Sequence, residues 1–263
     1  MKKYLVIGNP VEHSLSPKLH NYWIKKNKID AIYDKKLINE GDIENLVSQV
    51  KKEHIHGINV TVPFKQKVIP FVDELTSEAK ESQSINTIYK KNDKIIGHNT
   101  DMAGVELGLR HINYNCKDKK IFILGAGGVV SSIILVLKKI GVSKIILSNR
   151  TKKKADNLKK IFSSLEIIDW GKIPEFDMII NATSLGLKKN DEIKLNYTDI
   201  GTNKFFYDVI YNPKQTIFLK RAKMFGNKAE NGKMMFLYQA HQAFTIWHKI
   251  MPEIDDETIK LLD

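Results

Sequence analysis

One cysteine, three arginines and no long apolar run are what this chain has least of, and each shortage excludes something. The lone Cys116 rules out an intramolecular disulfide and a cysteine-rich metal site, so no metal is expected, and it fits a reducing compartment. No apolar stretch approaches the roughly 18 to 20 residues that span a bilayer. The chain instead passes from Met1-Lys2-Lys3 directly into Tyr4-Leu5-Val6-Ile7, a short strand pattern. The expectation is a soluble, cytoplasmic protein with no membrane partner. Arginine occurs only at Arg110, Arg150 and Arg221, although Lys and Arg together number 42 and the formal charge is +12. Nucleic-acid readers favour arginine's planar fork and interleave aromatics with their basic stripes. A charge spread over lysines along the whole length is a solvated surface, so no nucleic-acid partner is expected.

What is present describes an ordinary globular chain. Its 263 residues, 42% hydrophobic and 27% charged, leave room for two medium-sized domains. Strand-like runs at Tyr4 to Ile7, Ala31 to Leu37 and Gly57 to Val62 alternate with helical stretches from Pro17 and Asp42. That order implies parallel strands with crossover helices. Asn86 to Tyr89 and Lys94 to Ile96 flank the turn Lys91-Asn92-Asp93 and predict a hairpin on the sheet's edge. A helix from about Met102 to Asn113 marks the crossing between domains. The second half starts afresh with strands at Lys120 to Leu124, Lys144 to Ser148, Met178 to Asn181 and Phe205 to Val209, with helices through Ile140 and from Thr151. The fold class is α/β: two α/β domains around a cleft, the second a Rossmann-type doubly wound parallel sheet. The division falls at residues 1–102, completed by a C-terminal helical segment over 233–263, and 103–232. The apolar helix over Met234 to Ile250 is expected to pack back on the first domain.

Gly125-Ala126-Gly127-Gly128 sits between a predicted strand and a predicted helix, the context a dinucleotide loop requires. Glycines let the backbone approach a pyrophosphate, and the helix N-terminus offers unpaired N–H groups and a positive dipole. The next strand ends in Ser148-Asn149-Arg150-Thr151. An NAD enzyme usually places an acid there for the ribose hydroxyl, whereas a 2′-phosphate needs a cation and hydroxyl donors. Asn149 removes the acid, and Arg150 and Thr151 supply the donors. NADP is the expected cofactor.

In Asn59-Val60-Thr61-Val62-Pro63-Phe64-Lys65 the alternation puts Asn59 and Thr61 on one strand face, and Pro63 stops the strand two residues before an amine. Ser14 and Ser16, before Pro17, project two hydroxyls that suit a carboxylate; equally, Ser16 before Pro17 reads as an N-cap with proline at N1. Asp101, in Asn99-Thr100-Asp101, reads either as a helix cap or as a partner for Lys65. The chemical case for the pair is that reducing a ketone by hydride leaves an alkoxide in need of a proton, which a lysine aimed by a carboxylate can supply.

Taken in order, Ser14-Leu15-Ser16, Asn59 through Lys65, Asn86-Thr87, Gly97 through Gly104, Gly125 through Gly128, Asn149-Arg150-Thr151, Asn181-Ala182-Thr183-Ser184, Tyr207 through Tyr211 and Asn231-Gly232 through Gln239 resemble the shikimate dehydrogenase family across essentially the whole chain. The resemblance implies NADPH-dependent reduction of 3-dehydroshikimate to shikimate, on the route to chorismate and the aromatic amino acids, by a monomer or homodimer acting on a small molecule. It implies a Lys65 and Asp101 catalytic pair, a carboxylate held by Ser14, Ser16 and Tyr211, and a ring held by Asn59, Thr61, Asn86, Asp101 and Gln239. For the cofactor it implies Gly125, Ala126, Gly127, Gly128, Asn149, Arg150, Thr151, Lys154, Thr183, Ser184 and Gly232. Val129 stands where the family usually has a small residue, which implies a looser glycine turn.

Three other readings share parts of this pattern. A quinate or NAD-using paralogue shares nearly all of it. Glutamyl-tRNA reductase shares the glycine loop and Asn-Arg-Thr, but needs a cysteine nucleophile in its N-terminal domain, and Cys116 lies just before the cofactor strand. A non-catalytic NADPH- or nucleic-acid-binding module is the remaining class.

Overall fold

The computed structural model describes residues 1–188 and 190–263, and these fall into two compact units, Met1–Gly104 with Leu237–Asp263, and Val105–Phe236. The first unit begins with β1 (Lys2–Gly8), α1 (Ser16–Lys26), β2 (Ala31–Leu37), α2 (Ile43–Lys51) and β3 (Gly57–Val60). It continues with β4 (Glu74–Leu75), α3 (Ser77–Ser82), β5 (Thr87–Lys91) and β6 (Lys94–His98). The helix α4 (Asp101–His111) carries the chain across the first boundary.

The first unit's six strands run in the order β2-β1-β3-β5-β6-β4. β1 pairs parallel with both β2 and β3, as expected of βαβ units, and β5 returns antiparallel beside β3. Two expectations need correction. The hairpin β5–β6 is not the sheet's edge, because the two-residue β4 pairs outside it with Ile96 and Gly97. The regular third strand stops at Val60, although the Thr61 N–H still donates to the Ile7 carbonyl of β1 at 2.9 Å. The core beneath the sheet is aliphatic: Ile7, Ile43, Leu46, Ile58, Ile85 and Ile88 are fully or almost fully buried.

The second unit continues with β7 (Lys120–Leu124), α5 (Val130–Ile140), β8 (Lys144–Ser148), α6 (Lys152–Ile161), β9 (Glu166–Ile168) and β10 (Met178–Asn181). It then runs through α7 (Tyr197–Ile200), β11 (Phe205–Asp208), α8 (Ile217–Met224) and β12 (Lys228–Asn231). All six strands are parallel, in the order β12-β11-β10-β7-β8-β9. With β7 as the first strand this is the doubly wound order 3-2-1-4-5-6, which reverses between β7 and β10, and ligands of such sheets bind outside the carboxyl ends of the strands at that switch. Burial on both faces explains why the central strands read as nearly continuous apolar runs.

The helix α9 (Lys233–His248) crosses the second boundary, and α10 (Asp256–Lys260) closes the chain. Within the first unit Trp247 of α9 lies against Gly57: a Cβ built on that glycine would stand 2.3 Å from Trp247 Nε1. Trp247 Nε1 also donates to the Ile88 carbonyl at 3.3 Å. Among the described residues no helix is long and apolar enough to cross a membrane.

Candidate active site

In the first unit the chain turns after β3 and brings Lys65 to Asp101, the first residue of α4, with Nζ 2.5 Å from Asp101 Oδ2. Both side chains are well shielded, at 13% and 7% exposure, so water screens this pair far less than a surface pair. The capping alternative for Asp101 is removed by its neighbour: Asn99 Oδ1 accepts from the Met102 backbone N–H at 3.2 Å, leaving the Asp101 carboxylate for Lys65.

Asn86, just before β5, organises what surrounds the pair. Its Nδ2 donates to Asp101 Oδ1 and to Thr100 Oγ1, each at 2.9 Å, and approaches Gln239 Oε1 of α9 at 3.5 Å. Its Oδ1 accepts from the Thr100 backbone N–H at 2.8 Å. Asn59, at the end of β3, donates to the Asn86 carbonyl at 3.0 Å and to Thr87 Oγ1 at 3.1 Å. Tyr33 of β2 donates its hydroxyl to Asn59 Oδ1 at 2.7 Å. Both donors of each amide are thus spent within the protein, which fixes which end is oxygen and which nitrogen. Lys65, Asp101, Asn86, Asn59 and Gln239 therefore form one hydrogen-bonded group.

Ser14 and Ser16 are also together, with Oγ to Oγ at 3.2 Å. The N-cap reading of Ser16 is not what the structure shows: Leu15 occupies the cap position without a side-chain bond, and it is Ser14 Oγ that accepts from the Ser16 backbone N–H, at 3.3 Å. The Ser16 hydroxyl is buried and free of capping duty. Thr61 is half-buried beyond the end of β3. Tyr211 belongs to the second unit, where it stacks on Phe236 with ring centroids 4.1 Å apart.

In the second unit the glycine loop leaves β7 at the switch point. Gly125 has φ +112°, and a Cβ there would meet the Ala182 carbonyl oxygen at 2.6 Å, so only glycine lets the loop pass so close to the end of β10. A Cβ on Gly127 would meet nothing within 4 Å, which leaves open space over the loop. Val129 takes helical angles at the N-cap of α5 and puts no strain on the turn, and the helix has no acidic residue in its first turn. At the end of β8, Asn149 Nδ2 donates to the Thr151 carbonyl at 2.8 Å and shapes the turn that exposes Arg150. Arg150 has no partner among the described residues, and the Thr151 hydroxyl does not cap α6. Lys154 is exposed in the first turn of the same helix. These features fit a dinucleotide carrying a further phosphate: an open glycine loop at a helix N-terminus, then an uncommitted guanidinium and hydroxyl one strand away.

Thr183 and Ser184 lie on the turn after β10, where Asn181 Oδ1 accepts from both the Thr183 N–H at 3.0 Å and its hydroxyl at 2.7 Å. Gly232 answers to packing, since a Cβ there would stand 2.3 Å from the Val209 carbonyl oxygen. Sequence reasoning missed Tyr33, Thr87 and Thr100 as members of the first unit's network. Tyr33 gave only a strand-like signal, and Thr87 and Thr100 stood inside motifs of the resemblance without a role of their own. Among the described residues no cluster of His, Cys, Asp and Glu could hold a metal ion.

Residues 6–88 match the family model described as the shikimate dehydrogenase substrate binding domain, and residues 106–199 match shikimate / quinate 5-dehydrogenase. The chain is 63% identical over 262 residues to a shikimate dehydrogenase (NADP(+)) of Pelagibacter ubique, covering 100% of this chain and 99% of the relative. A crystal structure of shikimate dehydrogenase from Aquifex aeolicus superposes with a TM-score of 0.90 at 37% identity, covering 100% of this chain and 97% of that one. The enzyme of Thermus thermophilus in complex with NADP(H) and shikimate has a TM-score of 0.89 at 27% identity, covering 100% and 98%.

Proposed function

The chain belongs to the shikimate dehydrogenase family, and from that premise we propose that it reduces 3-dehydroshikimate to shikimate with NADPH, in the biosynthesis of the aromatic amino acids. The observation that carries the reading is the shielded contact between Lys65 and Asp101, with Asn86 holding the second carboxylate oxygen. NADPH, when bound, supplies the hydride. Reduction of the ketone then leaves an alkoxide, and Lys65 gives it a proton. Asp101, held by Asn86 at one oxygen, aims the Lys65 ammonium through the other.

The remaining assignments follow the same chemistry. Ser14 and Ser16 bind the substrate carboxylate, supported by their adjacent hydroxyls and by the absence of a capping role for Ser16. Tyr211 completes that contact, and Thr61, Asn59, Asn86 and Gln239 surround the ring. The amide donors of Asn59 and Asn86 are already paired, and Asn86 Oδ1 is already occupied by donors from Thr87 and Thr100, so a ring hydroxyl finds accepting capacity at Asn59 Oδ1, which holds one bond from Tyr33. Residues 1–102 with 233–263 form the substrate domain and 103–232 the NADP domain. There Gly125, Ala126, Gly127 and Gly128 hold the pyrophosphate, with Thr183, Ser184 and Gly232 likewise beyond the carboxyl ends of their strands. Asn149, Arg150, Thr151 and Lys154 hold the 2′-phosphate. The reading also places the enzyme in the cytoplasm as a monomer or homodimer, in keeping with its single, buried, free cysteine.

The test is a pairwise comparison. Purified protein is mixed with NADPH and 3-dehydroshikimate, and separately with NAD and quinate, while nicotinamide absorbance is followed. Rapid turnover of the first pair and little of the second is expected. Faster turnover of the second pair would make the protein a quinate dehydrogenase and overturn the substrate assignment.

A further inference from the structure

Asp208, the last residue of β11, is completely buried and is used by none of the roles above. Its carboxylate gathers three donors. Oδ1 accepts from Asn181 Nδ2 and from the Ile210 backbone N–H, both at 3.0 Å, and Oδ2 accepts from Thr216 Oγ1 at 2.6 Å. Asn181 passes the constraint on. The same Nδ2 donates to the Leu185 carbonyl at 3.0 Å, and its Oδ1 takes the two Thr183 donors. Thr183 Oγ1 in turn accepts from the Leu185 N–H at 3.0 Å. The 182–185 turn is therefore tied from inside at both ends, and the tie ends on Asp208.

The turn's place in the sheet gives this tie a purpose. It follows β10, and the Ala182 carbonyl is the atom that a Cβ on Gly125 would strike. One wall of the glycine loop is thus the turn that Asp208 anchors. A second consequence lies on β11, where the bond to the Ile210 N–H bends the chain immediately before Tyr211. A stability role alone needs no carboxylate here. Burial pushes its pKa up to about 6, despite the bonds from Thr216, Ile210 and Asn181 that pull it down. A buried charge is a costly way to join two strands when apolar residues of like volume serve as well or better.

We propose that Asp208, acting through Asn181, is a positioning residue that presents the Thr183–Ser184 turn to the bound nicotinamide dinucleotide. The proposal rests on the reading that this turn faces the cofactor. The test measures NADPH dissociation constants by fluorescence titration without substrate, alongside thermal unfolding. Asn181→Ala, which cuts the tie while leaving Asp208 bonded to Thr216 and Ile210, is expected to weaken NADPH by about 10-fold or more. Asp208→Ala should do the same. Asp208→Asn should stay within about 3-fold of the wild type, because its oxygen still accepts from Asn181 and its amide can donate to Thr216.

Tyr197→Phe provides the stability control. It removes the buried Tyr197 hydroxyl to Phe218 carbonyl bond of α7 and α8. It should lower the melting temperature and leave the NADPH constant unchanged. Should Asp208→Ala fail to fold, Asn181→Ala decides alone. An Asn181→Ala constant within 2-fold of the wild type overturns the proposal, as does a loss for Tyr197→Phe matching that for Asn181→Ala. Ser184→Trp separates the underlying reading from the tie, since a bulky side chain on the exposed turn must obstruct a dinucleotide lying there. If it binds NADPH normally, the turn does not face the cofactor and both fall; if it obstructs while Asn181→Ala does not, only the tie is wrong.

Discussion

Lys65 Nζ and Asp101 Oδ2 are 2.5 Å apart although the residues are 36 positions apart in the chain. The contact depends on tertiary structure alone: the turn after β3 delivers the amine, and the start of α4 delivers the carboxylate. Asn86 fixes the carboxylate's other oxygen at 2.9 Å, so the pair has one geometry rather than several.

Residues that work as a unit lose activity as a unit. Lys65→Ala and Asp101→Asn should each lower kcat by roughly 100-fold or more, while leaving NADPH affinity nearly intact. The double variant should fall far short of the product of the two losses. Steady-state kinetics on the four proteins measures this, and multiplicative losses would show that the residues act independently.

The serines make a different prediction. Ser14→Ala and Ser16→Ala should raise KM for substrate with little change in kcat, since hydroxyls on a carboxylate bind ground and transition states alike. Because Leu15 holds the cap position of α1, Ser16→Ala should not show the roughly 1 kcal/mol stability loss of a deleted N-cap. Thermal melts beside the kinetics separate the two effects.

On the proposed reading, cofactor choice turns on one guanidinium. Arg150 is exposed and uncommitted at the end of β8, with a neutral Asn149 before it. Arg150→Ala should weaken NADPH by roughly 10- to 100-fold and leave NADH almost unchanged, as expected of charge-assisted bonds to a phosphate. Equal weakening of both cofactors, measured by titration, would remove Arg150 from the selecting role.

His20 gives a prediction in pH. Its ring is completely buried, stacked 4.2 Å from Tyr33, and neither nitrogen has a hydrogen-bond partner among the described residues. Burial, with a smaller contribution from the nearby His248, pulls its pKa down to about 3. Between the ordinary histidine value and pH 3 the unfolded chain therefore binds a proton that the folded chain refuses. Stability from this residue is complete above about pH 6.5 and falls as the solution is acidified, by a few kcal/mol between pH 7.5 and 4.5. Urea unfolding at the two pH values should show a smaller drop for His20→Phe than for the wild type. An equal drop would assign the acid sensitivity elsewhere.

Much of the architecture was legible because its signals are local. The apolar run of β7, the glycines after it and the helix that follows are contiguous in sequence, as are Asn149, Arg150 and Thr151. The elements that were missed are set by neighbours. β4 has only two residues, and β12 is the polar edge sequence Lys-Ala-Glu-Asn, which nothing but pairing with β11 identifies as a strand. At β3 the alternation continues to Val62 while the regular strand ends at Val60, with only single backbone bonds at Thr61 and Val62 continuing the contact with the β1 segment. For the site, residue types pointed to Lys65 and Asp101, whereas the Tyr33 to Asn59 bond and the Asp208 to Asn181 tie join different strands. No periodicity records such bonds, because each exists only once the sheets are assembled.

The central claim is that this chain transfers a hydride from NADPH to 3-dehydroshikimate with Lys65 as the proton donor. The most direct measurement mixes the two reactants with wild-type protein and with Lys65→Ala, follows NADPH consumption and identifies the product. The account predicts one shikimate formed per NADPH consumed by the wild type, with the variant slower by about 100-fold or more and still able to bind NADPH. Absence of shikimate with the wild type, or near-normal turnover by Lys65→Ala, would contradict it.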